Sequence, residues 1–309
     1  MKLSLPTLRE SIVVLIITVV FSSLTAAFVG FRPEHILLIG LFLLLFFATD
    51  KTRKLAVALL PFLIFGISYD WMRVYPNYMV NPIDVEGLYN LEKTLFGIHL
   101  DGQVLIPCEY FAIHNWPIAD FLAGIFYLGW VPVPIAFGLY LYFLKDRNMY
   151  LRFAMVFLFV NLLGFACYYI YPAAPPWYAI NYGFEPVLNT PGNMAGLVRF
   201  DEFIGLPLFD SIYGRNANVF AAVPSLHSAY LVVVLFYAIK KRCNWPILSV
   251  IIIFLFGIWF TAVYSSHHYI IDVLLGILCA LVGISLFEYV LMKLNWFKAF
   301  FDKYLNYIK

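Results

Sequence analysis

Charge is scarce in this chain. Only 12% of its 309 residues are Asp, Glu, Lys or Arg, while 63% are hydrophobic. A soluble domain carries about twice that share of charge, so an ordinary soluble globular fold is excluded. Cysteine is scarce too. The four present, Cys108, Cys167, Cys243 and Cys279, have no metal-type spacing, and two of them fall inside apolar runs. A disulfide framework is therefore not indicated. Internal repeats, low-complexity tracts and linkers are lacking, so one domain over 1–309 is the simplest organisation. The net charge of +2 says little by itself, because in a membrane protein the placement of charge matters more.

What the chain has is apolar runs that approach or exceed the length of a bilayer crossing, about 20 residues. Eight are found, at roughly 11–31, 35–49, 55–70, 118–144, 150–172, 223–239, 246–264 and 270–292. The second and third are short. The expected fold is all-α: a polytopic membrane protein of about eight transmembrane helices, six at the least. Lys2 and Arg9 precede the first run as they would in a signal peptide. That run is long for one and no A-x-A site follows, so a retained span is expected.

Alternating the spans from an inside N-terminus puts Lys2, Arg9, Lys51, Arg53, Lys54, Lys145, Arg147, Arg152, Lys240, Lys241, Arg242, Lys293, Lys298, Lys303 and Lys309 on the cytoplasmic side. Arg32, Arg73, Lys93, Arg199 and Arg215 fall outside. That bias obeys the positive-inside rule and predicts both termini cytoplasmic. Trp71, Trp116, Trp177, Trp245 and Trp296 lie near span ends, as an aromatic belt requires. The regions are then 1–70, N-terminal spans; 71–117, a non-cytoplasmic loop; and 118–292, a helical bundle interrupted by a second non-cytoplasmic loop, 173–222. In the first loop Leu88, Leu91, Leu95 and Phe96 share a helical face ahead of Gly97, which predicts a helix lying in the interface.

Ionisable groups at the edges of spans are usually functional. His227, in 221-AAVPSLHSAY-230, opens the sixth span. His268 and Asp272 follow the seventh, in 264-YSSHHYIIDVLLG-276. The histidines are 41 positions apart, a separation that holds two spans and one turn. Such a hairpin returns the chain to the face it left, so both histidines are expected at one non-cytoplasmic surface. His268 and Asp272 are four apart and share a helical face. A carboxylate so placed fixes the imidazole tautomer and stabilises the imidazolium. His268 can then be nucleophile or base, and His227 the acid toward a leaving group.

Pro224 suits the first turn of the sixth helix. The amides of Ser225, Leu226 and His227 would then lack intrahelical acceptors and form an anion seat. Arg215 and Arg199, on the same side, are candidate phosphate ligands, and Ser225 and His267 candidate phosphate or substrate contacts. The group His267, His268 and Asp272 could instead hold a metal, but no other ligand-spaced partner accompanies it.

The runs PSLH (Pro224 to His227) and HYIID (His268 to Asp272) resemble the second and third motifs of the type 2 phosphatidic acid phosphatase superfamily. The fit is closer to its phosphotransferase branch, the aureobasidin-A-resistance-like inositol phosphorylceramide synthases. That branch is expected to show PSLHS, HHY-x-x-D and an upstream APPW, here Pro224 to Ser228, His267 to Asp272 and Ala174 to Trp177. Sphingomyelin synthases are more distant relatives. Two departures stand out. The Ser-Arg pair of the phosphatase third motif falls at Thr261 and Ala262, and no lysine–arginine first motif is present. Fewer basic residues suit a phosphodiester better than a more highly charged monoester.

The resemblance implies a double displacement on membrane lipids. His268 attacks the phosphorus of a donor such as phosphatidylinositol, His227 protonates the departing diacylglycerol, and a ceramide-type hydroxyl then takes the phosphoinositol. No metal or cofactor is needed for this transfer, and the sequence shows no sign of a nucleic-acid partner or of an obligatory protein partner. The short tails point to a compact bacterial protein of the inner membrane, with its site at the periplasmic face. A lipid phosphate or pyrophosphate phosphatase of the same fold is the alternative. A transporter or scaffold is the third reading; a transporter would more naturally place its charges near mid-membrane on broken helices.

Overall fold

The structure, a computed structural model, describes residues 5–214 and 216–309. Helices dominate it. α1 (Leu8–Phe28) is opened by a capping box between Thr7 and Glu10, and α2 (Pro33–Ala48) starts on a proline. A bent pair follows, α3 (Asp50–Ala58) and α4 (Leu60–Trp71), and then the short helix α5 (Glu86–Phe96). Strands β1 (Ile98–Leu100) and β2 (Gln103–Leu105) make a small antiparallel hairpin. Its two turn residues, Asp101 and Gly102, both have positive φ, as a tight hairpin demands.

Beyond it lie α6 (Pro107–Ile113), α7 (Pro117–Leu128), α8 (Pro132–Phe143) and α9 (Arg147–Ile170). Three short helices, α10 (Pro176–Tyr182), α11 (Val198–Ile204) and α12 (Leu208–Tyr213), lie in the second loop. The chain ends with α13 (Leu226–Lys240), α14 (Trp245–Tyr264), α15 (Ile270–Tyr289) and the amphipathic α16 (Asn295–Ile308).

Among the described residues, four helices are long and apolar enough to cross a bilayer: α1, α9, α14, and α15 with its extension to Lys293. Six qualify if each bent pair, α3–α4 and α7–α8, is one span; each pair bends by 46°. Two expected spans are shorter apolar helices, α2 and α13. The expected single span 118–144 is thus broken, at Gly129–Val131 ahead of Pro132. Proline supplies no amide to the ladder and clashes with the preceding turn, and such positions kink helices. The chain is an integral membrane protein.

The main core forms where α9, α13 and α15 pack together with α4, α8 and α14. Phe157, Tyr230, Tyr237 and Phe287 lie inside it. Gly276 lets α15 lie close against the start of α13. A Cβ there would stand 2.1 Å from the Ser225 carbonyl oxygen and 2.1 Å from Ser228 Oγ. The first is backbone and cannot swing away. Gly276→Ala is therefore expected to cost about 1–3 kcal/mol through overpacking, read as a lower unfolding temperature in detergent micelles. An unchanged temperature would show that the contact is soft.

The two ends of this bundle differ chemically. At one end Lys240 and Arg152 both pair with Glu288, at 2.8 and 2.7 Å, and Lys241 pairs with Asp146. At the other end two loops are woven together. Ala173 bridges Asp84 on one side and Ala221 on the other, and Asn77 Nδ2 donates to the carbonyls of Tyr168 and Phe220.

A helix does form in the first loop, α5. It buries Leu88, Tyr89 and Glu92, while Leu91 and Leu95 stay exposed. Its buried stripe is therefore offset from the leucine face read in the sequence. Trp177 also departs from the belt expectation. It is 4% exposed and packed inside, whereas Trp116, Trp245 and Trp296 are exposed.

Candidate active site

Helix α13 begins at Leu226, two residues beyond Pro224. Pro224 precedes the N-cap, which is Ser225, and Ser225 Oγ accepts the Ser228 amide. The Ser225 amide donates to the Asp272 carbonyl at 2.9 Å. Ser225 is thus fully buried and ties the start of α13 to the first turn of α15. Of the three amides expected to face an anion, this one is taken. Opposite, α14 ends at Tyr264 and the chain reverses through Ser265–Tyr269. The amides of His267 and His268 both donate to the Ala262 carbonyl, and Ser266 adopts a positive φ.

These two termini bring the expected trio together. His227 Nδ1 lies 3.2 Å from His268 Nε2, and His268 Nδ1 lies 3.4 Å from Asp272 Oδ2. The second distance is longer than a tight charge-assisted bond. The same carboxylate oxygen accepts the Tyr269 amide at 2.9 Å, which fixes its position. Asp272 is fully buried and His268 is 6% exposed. Burial pushes His268 down to about 4, so its ring is neutral at neutral pH. With Nδ1–H directed at Asp272, Nε2 keeps its lone pair and faces His227. That arrangement can act as nucleophile and acid.

Two aromatic residues of this centre were not picked out in the sequence. Tyr127 Oη lies 2.8 Å from His227 Nδ1, and the Trp130 ring meets the His227 ring at 4.6 Å. Both come from the α7–α8 bend. An aromatic residue in an apolar run carries no signal of its own; only the kink brings these two to the histidine.

His227, His267 and His268 line a cavity of about 160 Å³ whose other walls include Phe65, Trp130, Phe165 and Leu226. His267 therefore reaches the site. Arg199 does not line it. Arg199 pairs with Asp120 at 2.5 Å and lies over the Tyr264 ring, which holds α11 against α7 and α14. Among the described residues no lysine or arginine lines the cavity. Arg215 lies outside the described residues. No group of three or more His, Cys, Asp or Glu is arranged to hold a metal ion among the described residues.

Glu92 is a further residue that sequence reasoning passed over. Fully buried, it reaches from α5 to accept the amides of Ile270 and Ile271 at 2.8 and 3.2 Å. These are otherwise orphan donors at the start of α15. Burial raises this carboxyl to about 7 against the opposing pull of the two amides. The signal that could have exposed it is an acid on the apolar side of an amphipathic helix. The Ala174–Trp177 run contributes similarly: the Trp177 amide donates to the Ser266 carbonyl at 3.0 Å.

A bundle of apolar helices with a histidine pair and a buried carboxylate at one end defines a class: an integral membrane protein with a buried cluster of ionisable side chains at one end of its bundle. Residues 98–286 match the family model described as the PAP2 superfamily. The chain belongs to that superfamily.

Its relatives are narrower. The phosphoinositol dihydroceramide synthase of Bacteroides thetaiotaomicron is 67% identical over 305 residues, which are 99% of this chain and all of that protein. The inositol phosphorylceramide synthase catalytic subunit AUR1 of Saccharomyces cerevisiae is 27% identical over 79% of this chain and 58% of its own length. The inositol phosphorylceramide synthase of Candida albicans is 25% identical over 73% of this chain and 47% of its own. The chain thus spans about half the length of these fungal relatives. No solved structure matches it.

Proposed function

We propose that this protein transfers a phosphoinositol headgroup from phosphatidylinositol to ceramide or dihydroceramide. The observation that carries the reading is the His227–His268 contact at 3.2 Å, backed by Asp272, inside an apolar cavity at a bundle end. The near-identical length and 67% identity of the bacterial phosphoinositol dihydroceramide synthase support the choice of donor and acceptor.

The chemistry is a double displacement. His268 Nε2 attacks the phosphorus, and the bond from phosphorus to the diacylglycerol oxygen breaks. His227, carrying a proton, gives it to that oxygen, so neutral diacylglycerol leaves. The phosphoinositol is then bonded to His268 as a phosphodiester-type adduct, and Asp272 stabilises the cationic ring through Nδ1–H. In the second half His227 takes the proton of the ceramide hydroxyl, whose oxygen attacks phosphorus. The P–N bond breaks and His268 is regenerated with its lone pair. Phosphate is neither added nor lost overall.

The orientation follows from charge. The end carrying Lys240, Lys241 and Arg152 is placed in the cytoplasm by the positive-inside rule, with both termini beside it. The histidines then open to the periplasmic, extracytoplasmic face. Counting each bent pair as one span, and α2 and α13 as spans, gives eight crossings.

The test uses purified protein in detergent with headgroup-labelled phosphatidylinositol, with and without ceramide. A labelled product that requires ceramide is expected. Release of inorganic phosphate from a lipid phosphomonoester, with no ceramide-dependent product, would replace this reading by a lipid phosphatase.

A further inference from the structure

Two polar groups of the cavity wall have hydrogen-bonding capacity that the protein does not use. Asn218 is 8% exposed and His267 is 4% exposed, and both line the cavity that holds the histidine pair. Asn218 Nδ2 and His267 Nε2 have no partner in the protein. Most buried polar atoms are paired, and leaving one unpaired is unfavourable, so each exception calls for an explanation.

The chemical sense of each group can be read from its neighbours. Asn218 Oδ1 accepts the Phe220 amide at 3.1 Å. A flipped amide would point N–H at N–H, so Nδ2 is the unpaired end and is a donor. Its backbone is fixed as well. The Asn218 amide donates to Asn216 Oδ1, which also accepts the Tyr69 hydroxyl. For His267 the argument runs through Ser265. The single hydroxyl proton of Ser265 goes to the Thr261 carbonyl at 2.6 Å. Toward His267 Nδ1, 2.9 Å away, Ser265 Oγ can therefore only accept. Nδ1 carries the proton, and burial, which pushes His267 well below the usual histidine range, keeps the ring neutral. Nε2 is then an acceptor. The rings of Tyr213 and Tyr127, at 4.5 and 5.2 Å, clamp the imidazole in place.

Two residues of the wall thus carry one unpaired donor and one unpaired acceptor. A phosphate diester oxygen can only accept and suits Asn218 alone. A trimethylammonium group can do neither. A hydroxyl does both, and a ring of hydroxyls presents donors and acceptors side by side. We propose that Asn218 and His267 form the polyol subsite of this cavity, recognising the hydroxyls of the transferred headgroup rather than its phosphate. The inference rests on the phosphoinositol reading above and assigns the residues that select for it.

The variants are Asn218→Asp, which keeps the size and the Phe220 acceptor but removes both donors, and His267→Phe, which removes the acceptor. A site built to hydrogen-bond a hydroxyl loses roughly 10- to 100-fold when one partner is removed. Each variant is expected to show a rise of that size in KM for phosphatidylinositol, with a smaller effect on kcat. Calorimetric titration with myo-inositol 1-phosphate should weaken in parallel, while binding of methyl phosphate, which has no ring hydroxyls, should hardly change. An unchanged KM and unchanged inositol phosphate affinity would overturn the subsite. So would equal weakening toward both ligands, which would mark a phosphate contact. A wild-type protein that makes no ceramide-dependent product would instead sink the functional reading, and the titration would still report on the wall.

Discussion

His268→Ala is expected to lower headgroup transfer by about 10⁴-fold or more, to the level of the uncatalysed exchange. No other described side chain near the cavity combines a neutral nitrogen lone pair with a buried carboxylate behind it. His268 Nε2 has both, because Asp272 holds Nδ1 and burial keeps the ring neutral. The same change should abolish a covalent headgroup adduct. That adduct is checked by mixing protein with labelled phosphatidylinositol in the absence of acceptor and quenching in base, where a P–N bond survives. The loop itself should persist, since the His268 backbone amide still donates to Ala262. Transfer at the wild-type rate in this variant would end the covalent scheme.

His227→Ala is expected to lower transfer by about 10²- to 10⁴-fold, the usual range for loss of a general acid–base group. Its signature differs from that of His268→Ala. The first displacement needs a proton for an alkoxide leaving group, but not for a 4-nitrophenolate. A 4-nitrophenyl phosphodiester should therefore still load His268 in the His227→Ala protein, and the label should accumulate because no base activates the incoming hydroxyl. His268→Ala should be inert toward both donors. If the two variants respond alike to the activated donor, the division of labour between the rings is wrong. Tyr127, whose hydroxyl sits 2.8 Å from His227 Nδ1, remains in place in either case.

Much of the fold was legible because membrane crossing is a demand on composition. A run such as 246–264 has few alternatives to a spanning helix, and its helix, Trp245–Tyr264, begins and ends within one residue of that reading. The breaks were less legible. Pro132 announces a kink, yet nothing local says that the kink would deliver Tyr127 and Trp130 to a histidine about a hundred residues away. Charged residues were the least legible. Arg199 looked like a phosphate ligand by type and side, but Asp120 and Tyr264 engage it first. Ser225 looked like part of an anion seat, but the close packing of α13 on α15 at Gly276 buries it and takes its amide. An ionic or polar group declares what it can bind, not what the fold will set beside it.

Sequence alone settled the membrane character of this protein, the place of most of its helices and the return of His227 and His268 to one end of the bundle. Each of these follows from period, length or parity, which are properties of the chain as a line. Two spans and one turn must bring a chain back to the face it left. Tertiary structure alone decided which residues surround that pair. Tyr127, Glu92 and Asn218 come from other stretches of the chain and meet the site only through helix packing and loop weaving. Packing is a property of surfaces, and a line of residues does not reveal which surfaces will touch.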